Sequence, residues 1–179
     1  DFKRPGVFTF AGANYDFLLE KEETAGFKAL ASKNKGTLHM NILAVLNTLF
    51  YKYTGQEDII IGSGIEGRPH EDLRQIIGMF VNILPIRNAP AGEKTYEGFL
   101  KEVITCNVKA LRNQDVQFEE LVEHLDLDRD PSRNPLFDIC VSLQNYRQVQ
   151  EQEEEEPAAA RPRTQSNYIY RNPASRFDM

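Results

Sequence analysis

Leu38-His39-Met40-Asn41-Ile42-Leu43-Ala44-Val45-Leu46-Asn47-Thr48-Leu49-Phe50-Tyr51-Lys52-Tyr53, then Thr54-Gly55-Gln56-Glu57-Asp58, then Ile59-Ile60-Ile61-Gly62-Ser63-Gly64-Ile65: this run decides the fold class. Its first part has apolar residues at helical spacing, with Ile42, Leu43, Val45, Leu46, Leu49, Phe50 and Tyr53 forming a broad band. A band that wide predicts a helix buried on most sides, the central helix of the core. Thr37 is a good N-cap for it, because a side-chain oxygen there accepts an otherwise orphaned helix N–H. The middle part is turn chemistry. The last part opens with three β-branched residues in a row, as in a strand covered on both faces at a central sheet position. The bare Gly62 and Gly64 let another chain segment or a ligand approach the strand's end. Helix, turn and buried strand in immediate succession point to layered α/β structure.

The same reading extends outward. Residues 22–33 place Phe27, Leu30 and Ala31 at helical spacing, with Glu22 and Glu23 at the acid-favouring start and Gly36 as the stop. Before them, Phe8-Thr9-Phe10 and Asn14-Tyr15-Asp16-Phe17-Leu18-Leu19 alternate as paired strands do, with Gly12 as a break. Residues 80–87 form a second strand, which Pro85 confines to an edge or to its own end. Residues 95–112 make an amphipathic helix with Phe99, Leu100, Val103, Ile104, Val108 and Leu111 inward. Asp115 is placed to cap a shorter helix carrying Phe118, Leu121, Val122 and Leu125. Residues 136–146 alternate, with Phe137, Ile139, Val141 and Leu143 on one face. Charge runs and low complexity predict a mobile acidic loop over residues 147–166, and the final Tyr168-Ile169-Tyr170 and Phe177-Asp178-Met179 read as strand ends. The fold class is therefore an α/β two-layer sandwich, a mixed sheet backed by helices.

Bulk properties narrow the function. With 41% hydrophobic and 27% charged residues, the 179-residue chain is ordinary for a soluble domain or lobe with a real core. A formal net charge of -6 and scattered Lys and Arg argue against nucleic acid or an anionic membrane as partner. No apolar run approaches membrane-spanning length. Cys106 and Cys140, far apart, read as buried free thiols of a reducing, cytoplasmic setting. No Walker or G-x-G-x-x-G loop supports a nucleotide site, and no Cys, His and carboxylate cluster has zinc spacing, so neither metal nor bound cofactor is expected.

Three histidines, His39, His70 and His124, are the obvious proton acceptors for acyl chemistry, but each stands alone in sequence and reads as structural or surface. Ser63 would need a base beside it to act as a nucleophile, and the sequence offers none in evident reach; it reads as part of a strand end lining a cavity at best. Asn82 is an amide inside an apolar strand. It is either a polar group satisfied at the strand end or a side chain aimed into a channel, and the residues alone leave both open. Arg129, Asp130, Arg133 and Asn134 form a dense polar turn best explained as a local ion-pair and capping network.

Three motifs, taken in order, resemble the last core motifs of condensation domains from non-ribosomal peptide synthetases. They are Ile77-Gly78-Met79-Phe80-Val81-Asn82-Ile83-Leu84-Pro85-Ile86-Arg87, Asn113-Gln114-Asp115-Val116-Gln117-Phe118-Glu119 and Arg129-Asp130-Pro131-Ser132-Arg133-Asn134-Pro135-Leu136-Phe137. Tyr53-Thr54-Gly55-Gln56-Glu57-Asp58-Ile59, Gly67-Arg68-Pro69-His70, Leu143-Gln144-Asn145 and Ser175-Arg176-Phe177-Asp178 fit the same pattern. Asn113 and Gln117 depart from it, standing where that family often has His and Pro. The resemblance implies a chloramphenicol-acetyltransferase-like lobe, one of two that enclose a tunnel. Residues 1–179 correspond to the C-terminal lobe; the family's catalytic His-His motif, with Asp-Gly three residues on, belongs to the N-terminal lobe and is absent here.

The implied tunnel residues are Asn82, which the resemblance turns toward the channel, with Ser63, Gly64 and Gln144. Arg129, Asp130, Arg133 and Asn134 stay structural. Implied partners are the N-terminal lobe, carrier domains whose phosphopantetheine arms tether the acyl groups, and an adjacent adenylation domain. The implied reaction is amide formation from a donor thioester and an acceptor amine, with this lobe inactive alone. An epimerisation or heterocyclisation relative and a non-catalytic carrier-docking module remain the alternatives.

Overall fold

The computed structural model describes residue 6, residues 12–127 and residues 130–143. Its elements run α1 (Lys21–Lys33), α2 (Leu38–Thr54), β1 (Ile59–Ile65), β2 (Asn82–Asn88), α3 (Tyr96–Arg112), α4 (Phe118–His124) and β3 (Cys140–Val141), with a 3-10 turn at Glu71–Gln75. The sheet has the order β2-β1-β3, antiparallel between β1 and β2 and parallel between β1 and β3. The isoleucine-rich strand is thus central and the sheet is mixed. Among described strands β2 lies on the edge, and Pro85 sits there opposite Gly62.

Strand periodicity sorts β1 by face. Ile59 and Ile61 join Leu43 and Ala44 of α2 and Phe99, Leu100 and Val103 of α3 in one buried cluster. Each fully buried Leu, Ile or Val there contributes about 1.5–3 kcal/mol. Gly62 points the other way, and a Cβ on it would lie 2.5 Å from the Phe137 ring, so the close approach foreseen at this glycine is made by Phe137. Phe137 in turn packs on Phe118 of α4, ring centroids 5.4 Å apart.

One buried side chain links all three long helices. Asn41, fully buried, donates to the Phe27 carbonyl at 2.9 Å and accepts the Tyr96 hydroxyl at 2.6 Å. One side chain therefore ties α2 both to α1 and to the start of α3. Thr37 caps α2 as expected, accepting from Met40 N–H. On the outer strand end Arg87 grips Asp58 through two bonds of 2.8 and 2.6 Å and lowers the Asp58 pKa, but the pair is exposed and adds little stability.

Several local expectations are corrected. Residues 12–20 form neither strand nor helix and are exposed throughout; alternation alone does not make a strand without a neighbour to pair with. Leu49 and Tyr53 of α2, and Val108 and Leu111 of α3, are more than a third exposed, because each helix has one covered face rather than an enclosing core. The left-handed residue ending α1 is Lys35, at φ 60°, not Gly36. Gly36 is small for another reason: a Cβ there would come within 2.6 Å of Ile104. Among the described residues of the long alternating run, Cys140 and Val141 alone enter the ladder. The expectations for residues 8–10, Arg129, Gln144, the acidic loop at 147–166 and the C-terminal strand ends lie outside the described residues.

Candidate functional site

Beyond Ile61, the next β1 side chain on the helix-facing side is Ser63, and this one is polar. It is buried, and its Oγ lies 2.8 Å from Nε2 of His39 in the first turn of α2. The sequence offered no evident base near Ser63; the fold brings one across 24 positions. A signal was present, since His39 sits four residues before Leu43 and so on the same helix face, while Ser63 sits two after Ile61 on the same strand face. The two amphipathic stripes meet, and their last members are a histidine and a serine.

The pair lines a cavity of about 530 Å³ between the helices and the sheet. Its walls include Leu38, Met40, Leu84, Ile86 and Leu111, with Lys28 as the charged group and Gly64 at the strand end. Burial lowers the His39 pKa below 6.5, so the ring is neutral at pH 7. Its Nδ1 is buried and has no hydrogen-bond partner among the described residues. A serine nucleophile needs its base oriented by a third group on the far ring nitrogen. Among the described residues none meets Nδ1, and the contact they show is a hydrogen bond between the serine and the imidazole.

This burial has a measurable consequence. A histidine whose folded pKa is depressed stabilises the fold fully above its unfolded value, and the contribution is lost as pH falls through the folded value. Stability measured from about pH 8 to about pH 5 is expected to decline below the ordinary histidine value of 6.5, and His39→Gln to flatten that decline. Equal slopes in both proteins would refute it.

Asn82 opens β2 at only 4% exposure, and its amide is fully engaged. Nδ2 donates to the carbonyls of Gln114 at 3.0 Å and Val116 at 2.8 Å. Oδ1 accepts N–H from Ile83 at 2.8 Å and from Phe118 at 3.2 Å. The helix expected to be capped by Asp115 begins after Gln117, which makes no side-chain cap bond; the amide of Asn82 meets the first helix N–H instead. Of the two readings of Asn82, the described residues display the satisfied polar group. Its four partners are all main chain, leaving no amide atom free to hold a ligand.

The polar turn is local in the same sense. Asp130 Oδ1 accepts from both N and Oγ of Ser132, and Arg133 pairs with the Asp138 carboxylate, while Asn134 is half-buried. Gly64 is open, with only Ser142 near the place of a Cβ.

Between β1 and β2, Arg68 organises the connecting loop. Its guanidinium donates to the carbonyls of Leu73, Ile76 and Gly78 and lies 4.1 Å from the Phe80 ring centroid. The loop it braces holds Ile77 and Met79 almost wholly in solvent. Among the described residues no group of three or more His, Cys, Asp or Glu could hold a metal ion, and no helix is long and apolar enough to cross a membrane.

A family model, that of the condensation domain, matches residues 1–179. The chain belongs to the condensation domain family. Tyrocidine synthase 3 of Brevibacillus parabrevis is 45% identical over 179 residues, the whole of this chain and 3% of that protein. Gramicidin S synthase 2 of Brevibacillus brevis is 49% identical over 145 residues, 81% of this chain and 3% of that protein. The chain therefore spans only a few hundredths of the length of these curated relatives.

Among solved structures, a four-domain nonribosomal peptide synthetase bound to AMP and glycine superimposes with a TM-score of 0.79 at 26% identity, over 83% of this chain and 11% of that one. The X-domain from teicoplanin biosynthesis shares the fold, with a TM-score of 0.71 at 24% identity, covering 78% of this chain and 31% of that one. The mixed sheet backed by helices is thus the condensation-domain, chloramphenicol-acetyltransferase-like architecture expected from the motifs.

Proposed function

We propose that this chain is the C-terminal lobe of a peptide-synthetase condensation domain and supplies one wall of the tunnel in which an amide bond is made. The observation that carries the reading is the family match over every residue of the chain, joined to apolar surface presented by the β1–β2 loop. Ile77, Met79 and Val81 on that loop, with Phe17 and Leu18 on the exposed segment before α1, are large apolar groups in water. Such a surface marks an interface, and the companion lobe is its occupant.

In the proposed reaction the acceptor amine attacks the donor thioester carbonyl. The C–S bond breaks, the amine loses a proton and the departing sulfur ends as a thiol. The proton-handling histidines belong to the N-terminal lobe. Phosphopantetheine arms of carrier domains hold both substrates, and bringing them into attack geometry accounts for several kcal/mol of the barrier, roughly, without a covalent enzyme intermediate. An adenylation domain of the same synthetase activates the acyl groups. The free thiols Cys106 and Cys140 suit a reducing cytoplasm.

The complete domain, mixed with carriers loaded as donor thioester and acceptor amine, is expected to release amide product detectable by mass spectrometry. The present chain alone, folded by circular dichroism, is expected to release none. Turnover by the isolated chain would sink the lobe assignment, and inversion of the donor's α-carbon instead of amide formation would make it an epimerising relative.

A further inference from the structure

We infer that His39 is a positioning residue for Ser63, holding its hydroxyl so that the O–H is offered to an acyl-type oxygen entering the interlayer cavity. The inference rests on the proposed reading of this lobe as a tunnel wall. It starts from the direction of one hydrogen bond.

The 2.8 Å contact between His39 Nε2 and Ser63 Oγ allows two arrangements. If the serine donates, the neutral ring carries its proton on Nδ1. That atom is buried with no acceptor among the described residues, and an orphaned buried N–H is among the rarest and costliest groups in proteins. If the histidine donates from Nε2, Nδ1 keeps only a bare lone pair, a lesser cost. The second arrangement wins. Ser63 then accepts, and its own proton is free for a partner elsewhere.

The cavity is where that partner enters. Ser63 lines it opposite Leu84, and Leu38, Met40, Ile86 and Leu111 form apolar walls around it. A ligand that fits has an oxygen acceptor on an apolar body, as a thioester or amide carbonyl on an aliphatic chain does. Nothing here calls for a covalent step. His39 touches Ser63 rather than substrate, fixing a hydroxyl rotor that would otherwise turn freely.

The test uses the complete domain. Ser63→Ala and His39→Leu are each expected to lower kcat/KM for amide formation about tenfold, with the double variant no slower than either single one. His39→Gln, which keeps a donor amide, is expected to recover much of the rate. In a 15N-histidine-labelled sample the His39 ring is expected to carry its proton on Nε2. A ring protonated on Nδ1, additive losses in the double variant, or His39→Leu at wild-type rate would each overturn the inference. A wild-type domain that makes no amide would overturn the functional reading instead, and the imidazole spectrum would still decide the direction of the bond.

Discussion

Asn82→Ala is expected to unfold at a markedly lower denaturant midpoint than the wild type, a loss of about 3 kcal/mol, with the slope of the transition unchanged. The expectation comes from counting partners. Removing the amide strips hydrogen bonds from the N–H groups of Ile83 and Phe118 and from the carbonyls of Gln114 and Val116. Each buried main-chain group left without a partner costs about 1–3 kcal/mol, less where water reaches it, as at the exposed Val116.

Asn82→Asp separates the two halves of the bracket. The carboxylate still accepts from both N–H groups but faces two carbonyls where a donor stood. Burial and those carbonyls favour its protonated form, so its folded pKa is raised and its deficit relative to wild type shrinks as pH falls toward the ordinary aspartate range. An Asn82→Ala variant within a few tenths of a kcal/mol of wild type would mean that the amide does not hold the turn before α4.

Gly67→Ala disrupts the β1–β2 loop. Gly67 has φ +63°, where an alanine costs about 1–2 kcal/mol, and its added Cβ would collide with the carbonyl oxygen of Phe80, a main-chain atom that cannot swing aside. The loop's ends lie close together where the Phe80 carbonyl approaches Gly67, and Arg68 spreads across its interior to three carbonyls and the Phe80 ring. Once the ends part, the fan has nothing rigid to grip. Hydrogen exchange in Gly67→Ala is expected to accelerate across residues 68–81 while Leu43, Ile61 and Leu100 in the core stay protected. If the proposed companion lobe covers Ile77 and Met79, the variant is also expected to weaken lobe association in the complete domain, since both ride on this loop. Unchanged exchange in the loop would show that the glycine is dispensable there.

Much of the architecture was legible in the order of residues. Helical spacing located α2 and α3, the run of three isoleucines located β1, Thr37 marked a helix start, and Pro85 confined its strand to an edge or to its own end. These signals are local, because they depend on residues within one or two turns of each other. The readings that failed required something distant. The alternation at residues 14–19 had no described strand to pair with. Asp115 was a reasonable cap by spacing, yet the first N–H of α4 found an oxygen 36 positions earlier.

The site divides along the same line. Sequence singled out Asn82, Ser63 and Gly64 as unusual, since a polar or bare residue in an apolar strand needs an explanation. It missed His39 as Ser63's partner because an isolated histidine near a helix start has no local feature to distinguish it from a surface one.

By itself the order of residues determined that a helix-backed mixed sheet of the condensation-domain kind would form, since hydrophobic periodicity and the motif series are properties of the chain. Only the tertiary structure decided what the polar groups do there. A buried hydrogen bond needs its two atoms within about 3 Å of each other, and that distance is set by how layers pack. Asn82 became a main-chain bracket and Ser63 acquired an imidazole because α4 docks beside β2 and the first turn of α2 lies beside the last part of β1.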